Sequence, residues 1–284
     1  MECNPDDINI KNIKGWKKNN INRISLGVQS FFDSDLELMN RSHNSSTATQ
    51  AIELIKDNFK NFSIDLIYGI PESSFDIWKK NIDIGLKYDV PHISTYVLTV
   101  EPKTALIKLI EKNKIEEVSD IDQKLQFEYV YDYLLSLGYV NYEFSSFAKP
   151  GYECKNNVTY WNRGKYIGFG PSAHSFDGVK RKWNISNNQK YIEKIKLNSI
   201  AYESEILSET DILNEIIMIG LRTSEGLDLD LIESKFSNLN LEKLIQQIQL
   251  KIMDGVLVKT DNKLHPSRDY KFLTDGIASD LFIT

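Results

Sequence analysis

The chain has 284 residues, 41% of them apolar, enough to bury a sizeable core as one large domain with a smaller one. A formal net charge of −6 gives no electrostatic reason to expect nucleic acid as the main partner, and no stretch approaches the roughly 18 apolar residues of a membrane span. Two distant cysteines, Cys3 and Cys154, and four scattered histidines make neither a disulfide framework nor a spaced metal site. With no charged-then-apolar leader, the expectation is a soluble, cytoplasmic protein whose own residues build no metal centre.

In chain order, the first half alternates. Strand patterns fall at 23–28, 62–68, 92–98 and 139–144, with helical patterns at 46–59, 74–88 and 120–137, the first of these capped by Ser45 or Ser46. Repeated strand–helix–strand units predict α/β architecture: a parallel sheet, open or closed into a barrel, with all strands pointing one way. The strand C-termini then share one rim, where such folds place their sites.

The two faces of each predicted strand differ. Ile24, Leu26 and Val28 oppose Ser25, Gly27 and Gln29; Ile64, Leu66 and Tyr68 oppose Ser63 and Asp65. Ile93, Thr95 and Val97 oppose His92, Ser94 and Tyr96; Val140, Tyr142 and Phe144 oppose Asn141, Glu143 and Ser145. A doubly covered parallel strand is apolar on both sides. The pattern therefore predicts an apolar face packed on helices and a polar face lining a ligand-holding lumen, the alternative being half-exposed strands. Gln29 and Asp65 stand near the strand ends, suited to hydrogen-bonding a polar ligand. Asp65 suits an ammonium or ribose hydroxyls, although each is also an ordinary strand-end polar group.

From about residue 207 the pattern is helical, at 209–221, 228–236 and 241–253, followed by a hairpin at 255–265 that turns at Asp261-Asn262. Three helices and a hairpin resemble a winged-helix module. Residues 211–284 carry eight basic and twelve acidic side chains, a net of −4, which argues for packing or protein contact and against DNA. The expected domains are 1–206 and 207–284.

Seven phrases then stand in order: NRISLGVQSF, LMNRSH, IDLIYGIP, HISTYVLTVEP, YEFSSFAKPGYE, YWNRGKYIGFGPSAHS and GLRTSEGLDL. Together they resemble the oxygen-independent coproporphyrinogen III oxidase-like branch of the radical-SAM proteins, and more closely its haem-chaperone members. The resemblance runs from Glu2 to the C-terminus. It implies a partial (β/α) barrel of radical-SAM type followed by a C-terminal helical, winged-helix-like domain. It implies S-adenosylmethionine (SAM) and a 4Fe–4S cluster held by a CxxxCxxC motif, with haem as a further ligand. The positions matching the family's SAM contacts are Glu2 in ECNP, Gln29 in SLGVQ, Arg41 in MNRSH and Asp65 in IDLIYG.

Two departures qualify what the resemblance implies. The matching stretch begins after the family's cluster cysteines and glycine-rich loop, so the cluster ligands are absent from this sequence and the chain by itself is expected not to assemble the cluster. The haem-chaperone motif HNxxYW reads here Asn156-Asn157-Val158-Thr159-Tyr160-Trp161, with Asn156, a poor iron ligand, in place of histidine. Cys154, two residues earlier, offers a thiolate, although a lone cysteine is more often inert; for His174 in GPSAHS, facing the site and a structural role are equal readings. The leading expectation is a haem chaperone that passes haem to a haemoprotein acceptor, with no nucleic acid, no integral membrane segment and a homodimer left open. The alternatives are oxidative decarboxylation of coproporphyrinogen III, an inactive fragment without the cluster, or a winged-helix DNA regulator. No catalytic residue is assigned.

Overall fold

The computed structural model describes residues 1–100, 102, 104–236 and 241–283; Glu101 of the fourth quoted phrase lies outside them. The chain divides into two compact units, Met1–Glu153 and Cys154–Thr284.

The first unit runs β1 (Glu2–Cys3), α1 (Ile10–Lys18), β2 (Arg23–Gln29), α2 (Asp33–Leu38), α3 (Ser45–Asn58), β3 (Asn61–Tyr68), α4 (Phe75–Lys87), β4 (His92–Val97), α5 (Ala105–Glu111), α6 (Asp120–Ser136), β5 (Val140–Glu143) and β6 (Ser146–Ala148). They form one six-stranded sheet in the order β1-β2-β3-β4-β6-β5. Strands β1 to β4 pair in parallel, as the strand–helix alternation predicts. The expectation that every strand runs one way is corrected at the far edge. There β6 pairs antiparallel with both β4 and β5, so a hairpin partner stands between β4 and β5. A three-residue strand directly after a tight turn is too short to show its own period.

The helices start where side chains cap them. Asn9 accepts from the Asn12 amide, Ser74 from Ile77 and Ser119 from Asp122. Asn44, and not Ser45 or Ser46, caps α3, accepting from the Thr47 amide at 2.9 Å. Helices α3, α4 and α6 contact β2 and β3. Ile24, Leu26 and Val28 are buried, as are Ile64, Leu66 and Tyr68 and the facing Ile52, Ile55, Trp78, Ile82, Phe127 and Val130. This is the predicted apolar face. Its fourth strand departs from the expectation: a bulge between Asn141 and Glu143 shifts the alternation by one residue. Phe144 stacks on Phe127 at 5.1 Å, but Tyr142 hydrogen-bonds His92 Nε2 at 2.9 Å and so belongs with the polar face of β4.

The second unit contains α7 (Lys155–Trp161), β7 (His174–Phe176), β8 (Lys180–Asn184), α8 (Asn188–Lys196), β9 (Tyr202–Ile206), α9 (Glu209–Arg222), β10 (Leu227–Asp228), α10 (Leu229–Lys235), α11 (Glu242–Met253), β11 (Leu257–Thr260), β12 (Lys263–Pro266) and α12 (Thr274–Asp280). It holds two three-stranded sheets, β7-β8-β9 and β10-β12-β11. A capping box of Ser208 and Asp211 opens α9. Helices α9 to α12 and the β10–β12 sheet share a core from Leu213 to Leu281, including Ile217, Phe236, Leu244, Ile248 and Leu257. No described helix is long and apolar enough to cross a membrane.

Two glycines separate helix propensity from packing. Gly15 of α1 is exposed, with nothing within 4 Å of where a Cβ would stand; Gly220 of α9 has Leu227 Cα 2.7 Å from that point. Gly15→Ala is expected to stabilise by about 0.5–1 kcal/mol, and Gly220→Ala to destabilise by about 1–3 kcal/mol because a backbone atom cannot give way. Urea midpoints of the two variants check the opposite signs.

Candidate functional site

The polar face of the sheet is continuous across strands. Ser25 Oγ lies 2.8 Å from Ser63 Oγ and donates to Asp65 at 3.3 Å. The register places Glu2 beside Ser25, Asp65 beside Ser94, and Ser94 beside Ser146. Burial pushes the Asp65 carboxyl up to about 6; hydrogen bonds from Ser94 and Ser25 oppose the shift, the charge of Glu2 adds to it, and Arg23 offsets it. Asp65 is thus an acid poised to ionise near neutrality.

His92 is set the other way on the same face. Burial, reinforced by the Arg23 charge, pushes it down to about 3, so it stays neutral; its Nδ1 is buried without a hydrogen-bond partner. Tyr96 follows Ser94 on the same side. Burial, then the charges of Asp65 and Glu143, raise its hydroxyl well above the ordinary tyrosine value.

Gln29 ends β2 in the left-handed region, with φ 65°, a conformation that costs a non-glycine residue about 1 kcal/mol or more. A buried network fixes the turn that follows. Asn81 Oδ1 accepts from the Phe31 amide at 2.7 Å and lies 3.2 Å from Ser30 Oγ, whose single proton goes to Asp35 at 2.6 Å. The Gln29 amide is thereby aimed back along its strand. A Cβ on Gly27 would stand 2.8 Å from Gln29 Nε2 and 3.7 Å from Asn4 Oδ1. Glycine at 27 is what lets the Gln29 side chain and the end of β1 converge.

Of the four residues that the sequence singles out, Glu2, Gln29 and Asp65 are therefore gathered on adjacent parallel strands β1, β2 and β3. Arg41 is exposed, and among the described residues no hydrogen bond or ion pair joins it to the other three. Its neighbours tie its segment to the same rim: Ser42 Oγ donates to Asp6 at 2.5 Å, and His43 Nε2 lies 3.0 Å from the Val28 carbonyl oxygen. Sequence reasoning left Gly27, Ser94 and Tyr96 out of the site, though strand alternation already put each on the polar face. The Asn81 network had no sequence signal, because its partners lie about 50 positions apart. Among the described residues no group of three or more His, Cys, Asp or Glu side chains is placed to hold a metal. Cys3 is half-buried, and burial pushes its thiol up. Asn156 is exposed on α7, and Tyr160 meets Tyr166 edge-on at 4.7 Å.

A sheet of parallel strands with a polar face and a convergent rim is the architecture of the radical-SAM class. The model of the Radical SAM superfamily matches residues 1–111, and that of the HemN C-terminal domain matches residues 207–269. The chain is similar over 99% of its length to the solved coproporphyrinogen III oxidase HemN of Escherichia coli, with a TM-score of 0.79 and 19% identity, covering 68% of that chain. It is 30% identical to a protein of Bacillus subtilis named heme chaperone HemW, over 98% of this chain and 74% of that protein. It is 31% identical to the heme chaperone HemW of Lactococcus lactis, over 93% of this chain and 70% of that protein. The chain belongs to the radical-SAM HemW family.

Two measurements test the site. Gln29→Gly removes the left-handed strain and is expected to stabilise the chain by about 1 kcal/mol in urea unfolding, the mark of a side chain kept at a cost. A variant no more stable than wild type would show that Gln29 carries no strain. The second concerns pH. Asp65 has a folded pKa above its unfolded value, so its contribution to stability is lost as pH rises from about 4 to about 6. His92 has a folded pKa below its unfolded value, so its contribution is lost as pH falls below about 6.5. The two slopes oppose. Asp65→Asn is therefore expected to gain stability relative to wild type between pH 4 and pH 7, by up to about 3 kcal/mol, and unfolding curves at both ends read the difference.

Proposed function

We propose that this protein is a cytoplasmic haem chaperone that binds haem and SAM and passes the haem to a haemoprotein acceptor. The observation that carries the reading is 30% and 31% identity, sustained over 98% and 93% of the chain, to two proteins named heme chaperones. The likeness to the Escherichia coli oxidase, at 19% identity, speaks to architecture alone.

By residue type, the polar rim of the first unit suits the nucleoside. The space that a Gly27 Cβ would fill lies beside the Gln29 amide, with Glu2 and Asp65 on flanking strands. In this reading Arg41 meets the carboxylate of the amino-acid end and Glu2 its ammonium group. Asp65 and Gln29 hold the ribose hydroxyls. When bound, SAM supplies a sulfonium carbon–sulfur bond that one electron cleaves. Asp65 ionises above about pH 6 and accepts best there. The iron–sulfur cluster finds no such fit, since among the described residues no three ligands gather, and Cys3 and Cys154 lie in different units. We propose too that 207–284 is the C-terminal domain, its core drawn wholly from that stretch. Its acidic balance supports a protein partner over nucleic acid.

Haemin titration read by its Soret band is the test of the chaperone reading, together with transfer of the bound haem to an apo-haemoprotein. Saturable uptake and transfer are expected; no uptake overturns the reading. Gln29→Ala and Asp65→Ala should each weaken SAM binding by about tenfold or more in a chain joined to a CxxxCxxC segment. Unchanged affinity would remove both residues from the site.

A further inference from the structure

The chain has four histidines, and three are committed to the fold. His43 is buried against the Val28 carbonyl oxygen at 3.0 Å. His92 is buried against Tyr142. His265 lays its ring on Gly226, where a Cβ would stand 2.4 Å from Cε1. His174 differs. It is exposed at the start of edge strand β7, and among the described residues no hydrogen bond or ion pair engages its ring nitrogens.

Its surroundings are ordered. The register sets His174, Trp183 and Glu203 in one row across β7, β8 and β9. The imidazole lies 6.4 Å from the Trp183 ring with 31° between the planes, and Trp183 Nε1 donates to Glu203 Oε2 at 3.1 Å. Beneath them Asn184 binds the Ala173 carbonyl oxygen through its backbone amide at 3.0 Å and the Gly170 carbonyl oxygen through Nδ2 at 2.8 Å. A carboxylate fixes an indole, and the indole backs an open imidazole.

We propose that His174 is the ligand through which this protein holds haem iron, and that Trp183 is a positioning residue that sets the imidazole plane; the proposal rests on the haem-chaperone reading above. A neutral imidazole nitrogen is a common haem-iron ligand. The exposed ring edge of His174 would offer such a nitrogen to haem iron from the solvent side. Two other positions near the family's motifs serve less well. Burial holds the Cys3 thiol protonated, and Asn156 offers only an amide.

The test is haemin binding by the full chain, read by Soret absorption and electron paramagnetic resonance. Wild type is expected to show an imidazole-ligated iron. His174→Gly is expected to lose that signature, to bind haemin about tenfold or more weakly, and to regain the signature when free imidazole is added. Because His174 is exposed, the variant's thermal unfolding should fall only slightly below that of wild type, by the entropy that glycine costs in a strand. Trp183→Ala is expected to keep the ligand while its g values shift, since nothing then holds the ring plane; unchanged g values overturn the positioning role. A His174→Gly spectrum identical to wild type overturns the ligand assignment and leaves the chaperone reading standing. A wild-type chain that takes up no haemin overturns that reading, and this assignment with it.

Discussion

A half-buried carboxylate on a parallel sheet must find donors or lose its charge, and Asp65 does some of each. Ser25 on one neighbouring strand and Ser94 on the other donate to it, and burial still raises its pKa to about 6. That single need explains why the face beyond it is serine-rich. Ser63 pairs with Ser25, and the register carries the line on to Ser146 of the antiparallel hairpin. Had those positions been valine, the sheet would have packed on both faces and the carboxylate would have had no place. The polar face exists because the strands agree on it, residue by residue.

A second constraint acts at the end of β2. The chain must leave the strand, present Gln29 and enter α2, and it does so through a left-handed residue that is not glycine. Such a conformation persists only where the surroundings over-determine it. Here they do so by burying Ser30, Asp35 and Asn81 together, each satisfied by another. Removing one member would leave a buried polar atom unpaired, at about 1–3 kcal/mol. The turn is thus held in part by Asn81 of α4, far in sequence from the Gln29 it serves.

Much of this was legible. Period-two alternation marked the apolar and polar faces of β2, β3 and β4, and helical spacing marked α3, α4 and α9, because each buries one face against an apolar partner. The Asp261-Asn262 turn marked the β11–β12 hairpin. What escaped did so for physical reasons. Strands β1 and β6 are too short to show a period, and the bulge near Tyr142 broke the alternation of β5. The β7–β9 sheet includes Lys180–Asn184, rich in charge, and Tyr202–Ile206, exposed throughout. Such strands are held by backbone pairing more than by burial, and pairing leaves no trace in hydrophobicity. Of the candidate site, residue types on one strand face were readable, but the Asn81 network and the isolation of Arg41 depend on long-range geometry.

The close approach at Gly27 makes positions 27 and 29 a single evolutionary unit. A Cβ at 27 would stand 2.8 Å from Gln29 Nε2, the far end of a flexible side chain, so the amide must shift to admit it. A larger residue at 27 therefore displaces the Gln29 amide, and the effects of substitutions at the two positions will not add. Among descendants of this sequence the two should covary, glycine with a long amide or a larger residue with a shorter one. A search that varies one position at a time would miss the space they share.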